Sequence, residues 1–289
     1  MTHDPIEKLL KRMTPPIGEI PNLRGIDIAG TMIPCEAVGG DYARIIKYTK
    51  EYDFKKILEY SYANHSPNHV QRITKAVAET KNRTALIIAD FEGHGTQAAI
   101  YAAQFDAILD GTINQQLREH GEIRQEFIDN ISDYFHHRNI HGTMIFGEIT
   151  SRGIFRFMSA GHASPYIFSK ENNALEDISS KNIYTNNMML GVRPPNSSIR
   201  IYPKGVIGYE PTYQINEWEF LNNGDLFIIY SDGLIDPAQS SQYTLTQLQE
   251  VLRKTKNLPA KTIVECIVED RARTGNIDDD ISVIVVKKN

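Results

Sequence analysis

The chain has 289 residues, 41% of them hydrophobic, which is enough for one large core and leaves one or two domains open on length. The formal net charge of -5 and the lack of a long basic run argue against a nucleic-acid binder. There is no apolar stretch long enough to cross a bilayer and no apolar core in the polar segment Met1 to Lys11, so a soluble cytoplasmic protein with no membrane partner is expected.

In chain order, residues 1–13 read as a short amphipathic helix, with Ile6, Leu9, Leu10 and Met13 at helical spacing, stopped by Thr14-Pro15-Pro16. Ile26, Ile28 and Met32 suggest a strand between Gly25 and Pro34, and Asp41 to Tyr48 suggests another. Lys50 to Arg83 is charged, partly helical in pattern and carries His65 and His69; it reads as an insertion too long for a hairpin loop. Ala85 to Ala89 is wholly apolar, as in a strand covered on both faces. A helix is expected over Thr96 to Leu109, with Thr96 as N-cap and Ala98, Ala99, Ala102, Phe105 and Leu109 facing inward.

A second helix is expected over Glu122 to His136. Thr143 to Ile149 and Ile154 to Ala160, joined by Ser151-Arg152-Gly153, read as a hairpin; Tyr166 to Phe168 reads as a following strand. Asp225 to Tyr230 and Ile281 to Val286 read as strands, with helices over Leu245 to Lys254 and Ala260 to Arg271 between them. Hairpins with a few helices imply an antiparallel α+β layer fold. Cys35 and Cys266 form no Cys-x-x-Cys pair and read as buried small hydrophobes.

Four acidic motifs punctuate this order: Gly39-Gly40-Asp41, Asp90 to Gly95, Tyr230-Ser231-Asp232-Gly233 and Asp278-Asp279-Asp280-Ile281-Ser282. Most place an Asp beside glycine at the end of a hydrophobic run, and a strand ending in a carboxylate delivers it to the rim of a sheet. Several such carboxylates together cannot all stay ionised without a cation, which points to hard divalent metals held by Asp oxygens. Taken singly, each Asp is a common turn residue. No Walker loop is present, and the position where a cysteine phosphatase needs arginine holds Asp41 after Cys35 and Ala272 after Cys266.

With Ala160-Gly161-His162 and Gly224-Asp225 added, the motifs stand in the order of a metal-dependent PPM-type (protein phosphatase 2C-like) serine/threonine phosphatase, and the chain resembles the SpoIIE-like bacterial branch. The resemblance implies a four-layer α-β-β-α sandwich, a central antiparallel β-sandwich flanked by helices, over 20–289 after an N-terminal segment of 1–19, with the insertion at about 50–83. It implies two Mn²⁺ or Mg²⁺ ions that activate water. Asp90 would bridge them, the Phe91 backbone carbonyl would add a ligand, Asp232 and Asp279 would hold the other side, and Asp41 would serve the second metal directly or through water.

The implied activity is hydrolysis of phosphoserine or phosphothreonine on a regulatory protein, by family likeness a STAS-type anti-sigma-factor antagonist, with input from a separate regulator. A degenerate phosphatase acting as a binding module and a metal-dependent phosphodiesterase are the rival readings. Two departures keep the first alive: Arg44 stands where relatives often carry an acid, and the insertion is long. His94 is weighed as a general acid or a turn-fixing residue. Arg44 is weighed as a grip on substrate phosphate or an outward salt bridge. Asp280 is expected to orient a ligand or bond a loop, Asp278 and Glu92 to be solvated, and His162 to support the hairpin end. His136, His137 and His141 are expected to be exposed histidines rather than metal ligands.

Overall fold

The structure, a computed structural model, describes residues 23, 25–180, 184–192, 199–202, 206–209, 213–219, 222–235 and 243–289. The helix expected over 1–13 lies outside them. Chain order runs β1 (Ile26–Ile33), β2 (Asp41–Lys47), α1 (Tyr48–Glu51), α2 (Phe54–Asn64), α3 (Pro67–Thr80), β3 (Arg83–Phe91), α4 (Gly95–His120), α5 (Glu126–His136), β4 (Gly142–Thr150), β5 (Ile154–Ala160), β6 (Tyr166–Ser169) and β7 (Ala174–Asp177). It continues with β8 (Ile199–Tyr202), β9 (Val206–Tyr209), β10 (Asn216–Glu219), β11 (Leu226–Tyr230), α6 (Leu245–Thr255), α7 (Ala260–Arg273) and β12 (Ile281–Lys288).

Two five-stranded sheets, β1-β12-β11-β6-β7 and β10-β5-β4-β3-β2, face each other, and β8-β9 form a separate pair. The pairing within both large sheets is antiparallel. Period-two alternation explains the layers. Leu86 and Ile88 of β3 pack with Ile45, Ile145, Phe227, Ile229 and Ile284 between the sheets, while Ala85, Ile87 and Ala89 pack against the helices on the other side. Every residue from Ala85 to Ala89 is inaccessible to solvent, and each such isoleucine contributes roughly 1.5–3 kcal/mol of burial. Helices α6 and α7 cover the outer face of the other sheet. The result is the α-β-β-α sandwich with a central antiparallel β-sandwich.

The insertion is helical: α1, α2 and α3 occupy it, and Phe54, Ile57, Ile73 and Val77 join the core that α4 and α5 share with the sheet. Asp53 caps α2 by accepting from the amides of Lys55 and Lys56.

Several boundaries differ from expectation. Helix α4 starts at Gly95 with His94, not Thr96, at the N-cap, and it runs to His120 because Ile113 and Leu117 extend the buried stripe. Helix α5 starts four residues after Glu122, at Glu126. The strand at Tyr166 leaves the hairpin's sheet and pairs with β11 in the opposite one. Strands β7 to β10 are additional to those the sequence pattern suggests. Cys35 and Cys266 are free thiols and only half-buried, not the fully buried hydrophobes expected.

Candidate metal and phosphate site

The inter-sheet space changes character at one rim. Asp41 shares its face of β2 with Ala43 and Ile45, and Asp90 shares its face of β3 with Leu86 and Ile88. Thr143 of β4 lies opposite Asp90, and Asp41 lies opposite it on the other side. On the facing sheet, Ser231 follows β11 and Ser282 lies in β12, in phase with Ile229 and Ile284. Five strands that bury isoleucine and phenylalanine in the middle therefore end in oxygen-bearing side chains at the same rim.

The carboxylates there interact strongly. Burial pushes the Asp90 carboxyl up to about 8, with the charges of Asp232, Asp279 and Asp280 adding in that order. Asp41, 3% exposed, is also pushed well above the usual carboxylate range by burial and then by Asp90, although Ser231 and Ser282 oppose the shift. Asp232 and Asp279 are solvent-exposed at the mouth. Asp280 is buried, and its carboxylate accepts from the amides of Cys35 at 2.8 Å and Asp41 at 3.2 Å. A methyl group on Gly39 would stand 1.9 Å from Asp280 Oδ2, so only glycine lets the loop pass.

The donor set is hard oxygen throughout, which suits Mg²⁺ or Mn²⁺ rather than a soft metal. Among the described residues, no three His, Cys, Asp or Glu side chains converge closely enough to hold an ion as they are placed. The fit is thus one of chemistry and location: acidic side chains from four chain-distant segments crowd one rim, and their charges add to the burial that raises the proton affinity of Asp41 and Asp90.

The other candidate residues divide clearly. His94 is exposed at the start of α4, with Nδ1 2.8 Å from Glu36 Oε1, and Glu36 was not singled out from the sequence. Arg44 does not join the aspartates. It sits on the opposite face of β2 from Asp41, and its guanidinium binds Glu51 at 2.6 Å, Asp106 at 2.9 Å and Asp110 at 3.1 Å. The substrate-phosphate role is therefore replaced by a clasp between β2, α1 and α4. His162 is buried, with Nδ1 2.8 Å from Thr143 Oγ1, and burial lowers its pKa to about 4. Glu92 is exposed, and its carboxylate lies 3.4 Å from His141 Nδ1. Asp278 is exposed, whereas His136 is half-buried and bonds the Gly191 carbonyl.

Comparison with known proteins gives the family and the fold. Residues 80–289 match the model of the Stage II sporulation protein E (SpoIIE) family. The chain belongs to the SpoIIE family, and its fold is that of PP2C-type phosphatase domains. Among solved structures it is similar to the RsbU and RsbW domains of Rv1364c from Mycobacterium tuberculosis (18% identity, TM-score 0.61, 93% of this chain and 61% of that one). It is similar to the PP2C phosphatase domain with a regulatory fragment of SpoIIE from Bacillus subtilis (16%, TM-score 0.59, 91% and 63%). RsbX in complex with magnesium is also similar (14%, TM-score 0.56, 94% and 99%). The chain spans about three fifths of the length of the first two structures. No curated protein sequence matches.

Proposed function

We propose that the chain is a metal-dependent protein serine/threonine phosphatase acting on phosphoserine or phosphothreonine of a regulatory protein. The observation that carries this reading is the acidic rim, where Asp41, Asp90, Asp232 and Asp279 come together from distant parts of the sequence. Asp90, the Phe91 carbonyl, Asp232 and Asp279 would hold two Mn²⁺ or Mg²⁺ ions, with Asp41 holding the second directly or through water. Such a pair supplies charge neutralisation of the phosphoryl group and a nucleophile at neutral pH.

The remaining work falls to the chain. Asp232 and Asp279 are exposed, so a phosphorylated side chain presented by another protein can reach the rim. His94 Nδ1 is engaged by Glu36, which leaves Nε2 as the ring atom available to carry a proton to a departing alkoxide. Membership of the SpoIIE family supports a regulatory phosphoprotein as substrate, and a STAS-type antagonist is the finer assignment. The SpoIIE structure joins its phosphatase domain to a fragment of that protein's own regulatory domain, which supports regulatory control of this phosphatase fold. Among the described residues no helix is long and apolar enough to cross a membrane.

The decisive measurement is phosphate release from a phosphoserine peptide with Mn²⁺, set beside the Asp90→Asn variant. Release by the wild type, reduced by about a thousandfold or more in the variant, is expected. No release by the wild type would favour a non-catalytic binding module. Release only from small diesters would favour a phosphodiesterase.

A further inference from the structure

Two buried groups at the rim make contacts that their motifs do not explain: the Ser231 hydroxyl and the Asp280 carboxylate. We propose that Ser231 and Asp280 are positioning residues that fix Asp41 for cation holding, one through its side chain and the other through its backbone. The inference rests on reading the rim as a cation site.

Ser231 is inaccessible to solvent and lies at the meeting of β2, β11 and β12. Its Oγ accepts from the Ser282 amide at 2.8 Å and donates to Asp41 Oδ2 at 2.7 Å. The Asp280 carbonyl, the competing acceptor, is farther away at 3.3 Å. With the Ser282 amide on its acceptor side, the hydroxyl directs its one hydrogen at the carboxylate. One Asp41 oxygen is thereby anchored and the plane of the carboxylate is set.

Asp280 grips the same residue from behind. Its two oxygens accept from the amides of Cys35 and Asp41, and its own amide donates to Asp279 Oδ1 at 2.8 Å. The chain around it leaves no slack. A methyl group on Gly39 would collide with its carboxylate, and one on Gly233 would stand 2.1 Å from its carbonyl oxygen. Asp280 thus ties the Cys35 to Asp41 loop to the segment bearing Asp279, so two proposed ligands share one support.

The consequence is pre-organisation. Asp41 stands beside Asp90 in a buried setting, and a carboxylate free to turn would swing away from its neighbour's charge. Hydrogen bonds that hold it in place remove that relaxation and leave a fixed pair of oxygens for a cation. Partners of this kind are worth 10–100-fold in metal affinity in other proteins.

The test is Mn²⁺ titration by calorimetry of the full chain and its Ser231→Ala, Ser231→Thr and Asp280→Asn variants. Phosphopeptide turnover is followed across the same Mn²⁺ range, and melting in EDTA reports folding. Ser231→Ala is expected to weaken Mn²⁺ binding by about 10–100-fold, with turnover recovering as Mn²⁺ is raised. Ser231→Thr, which keeps the hydroxyl, should restore the affinity. Asp280→Asn, which puts an amide donor where two backbone amides need acceptors, should weaken binding by a similar factor.

Wild-type affinity in folded Ser231→Ala and Asp280→Asn would overturn the inference while leaving the phosphatase reading intact. A wild type that binds no Mn²⁺ would overturn the site reading and the inference with it. If Ser231→Ala melts too low to titrate, Asp280→Asn decides alone: weakened binding supports the positioning role, and unchanged binding ends it.

Discussion

Asp41 and Asp90 stand directly opposite each other across β2 and β3, on the face that looks toward the second sheet. Like charges in that position destabilise a sheet, and burial sharpens the conflict. A folded chain keeps such a pair only if protons or cations neutralise it. Asp90 is pushed up to about 8, so the metal-free folded state binds a proton that the unfolded state, with an ordinary carboxyl, releases. Between the unfolded carboxylate range and about 8, the folded state holds more protons, and stability therefore falls as pH rises. Melting temperatures in EDTA should drop from mildly acid to alkaline pH, and Mn²⁺ should abolish most of that drop. A flat alkaline limb in EDTA would show that the pair is not strained.

Removing one charge should separate stability from activity. Asp90→Asn relieves the repulsion from Asp232, Asp279 and Asp280 and should raise the EDTA melting temperature at about pH 8. The same variant should lose phosphate release by about a thousandfold or more, because an amide would hold a divalent cation less well than a carboxylate. Paired melting and activity measurements check both halves. A variant that is less stable and equally active would contradict both.

Arg44 carries a prediction of a different kind. Its guanidinium is shared by Glu51, Asp106 and Asp110, so removing it leaves three carboxylates facing one another in a partly buried setting. Arg44→Met should destabilise the fold by about 2–4 kcal/mol, in line with breaking one side of an ion-pair cluster. The KM for a phosphopeptide should not change, because the side chain points away from the rim. Urea unfolding and steady-state kinetics together test this, and a raised KM with unchanged stability would restore the phosphate-binding role.

That face of Arg44 was legible in the sequence. Positions 41 and 44 are three apart in one strand, so they point to opposite faces, and Asp41 and Arg44 could not both line one pocket from an unbroken β2. The same alternation, read from Ile88 to Asp90 and from Ile229 to Ser231, carries each hydrophobic face to its polar end. The missed strands have a physical reason. β7 and β10 are the outer strands of their sheets and carry charge, as Leu175-Glu176-Asp177 and Asn216-Glu217-Trp218-Glu219 show. Edge strands are half-solvated, so the apolar runs that reveal β3 and β12 are missing from them. The role of Glu36 and that of Ser231 within its motif are not legible for another reason: they depend on partners 58 and 190 positions away, and no local pattern reports such contacts.

His162 acts on the same stability profile with the opposite sign. Its ring is 2% exposed, beside Thr143, and burial lowers its pKa to about 4. The unfolded state, titrating near the ordinary histidine value, binds more protons between about 4 and 6.5, so here stability rises with pH. The contribution is fully present above that window, is lost as pH falls through it, and amounts to about 3 kcal/mol. Over that window the rise opposes the fall that Asp90 produces, so metal-free protein should show a shallow profile between about 4 and 6.5 and a steeper fall from there to about 8. His162→Gln should steepen the fall between about 4 and 6.5 and leave the profile above it unchanged, whereas Mn²⁺, by removing the Asp90 contribution, should leave a rise across the His162 window. Melting profiles of both proteins with and without Mn²⁺ test the separation, and a profile unchanged in His162→Gln would assign that window to other groups.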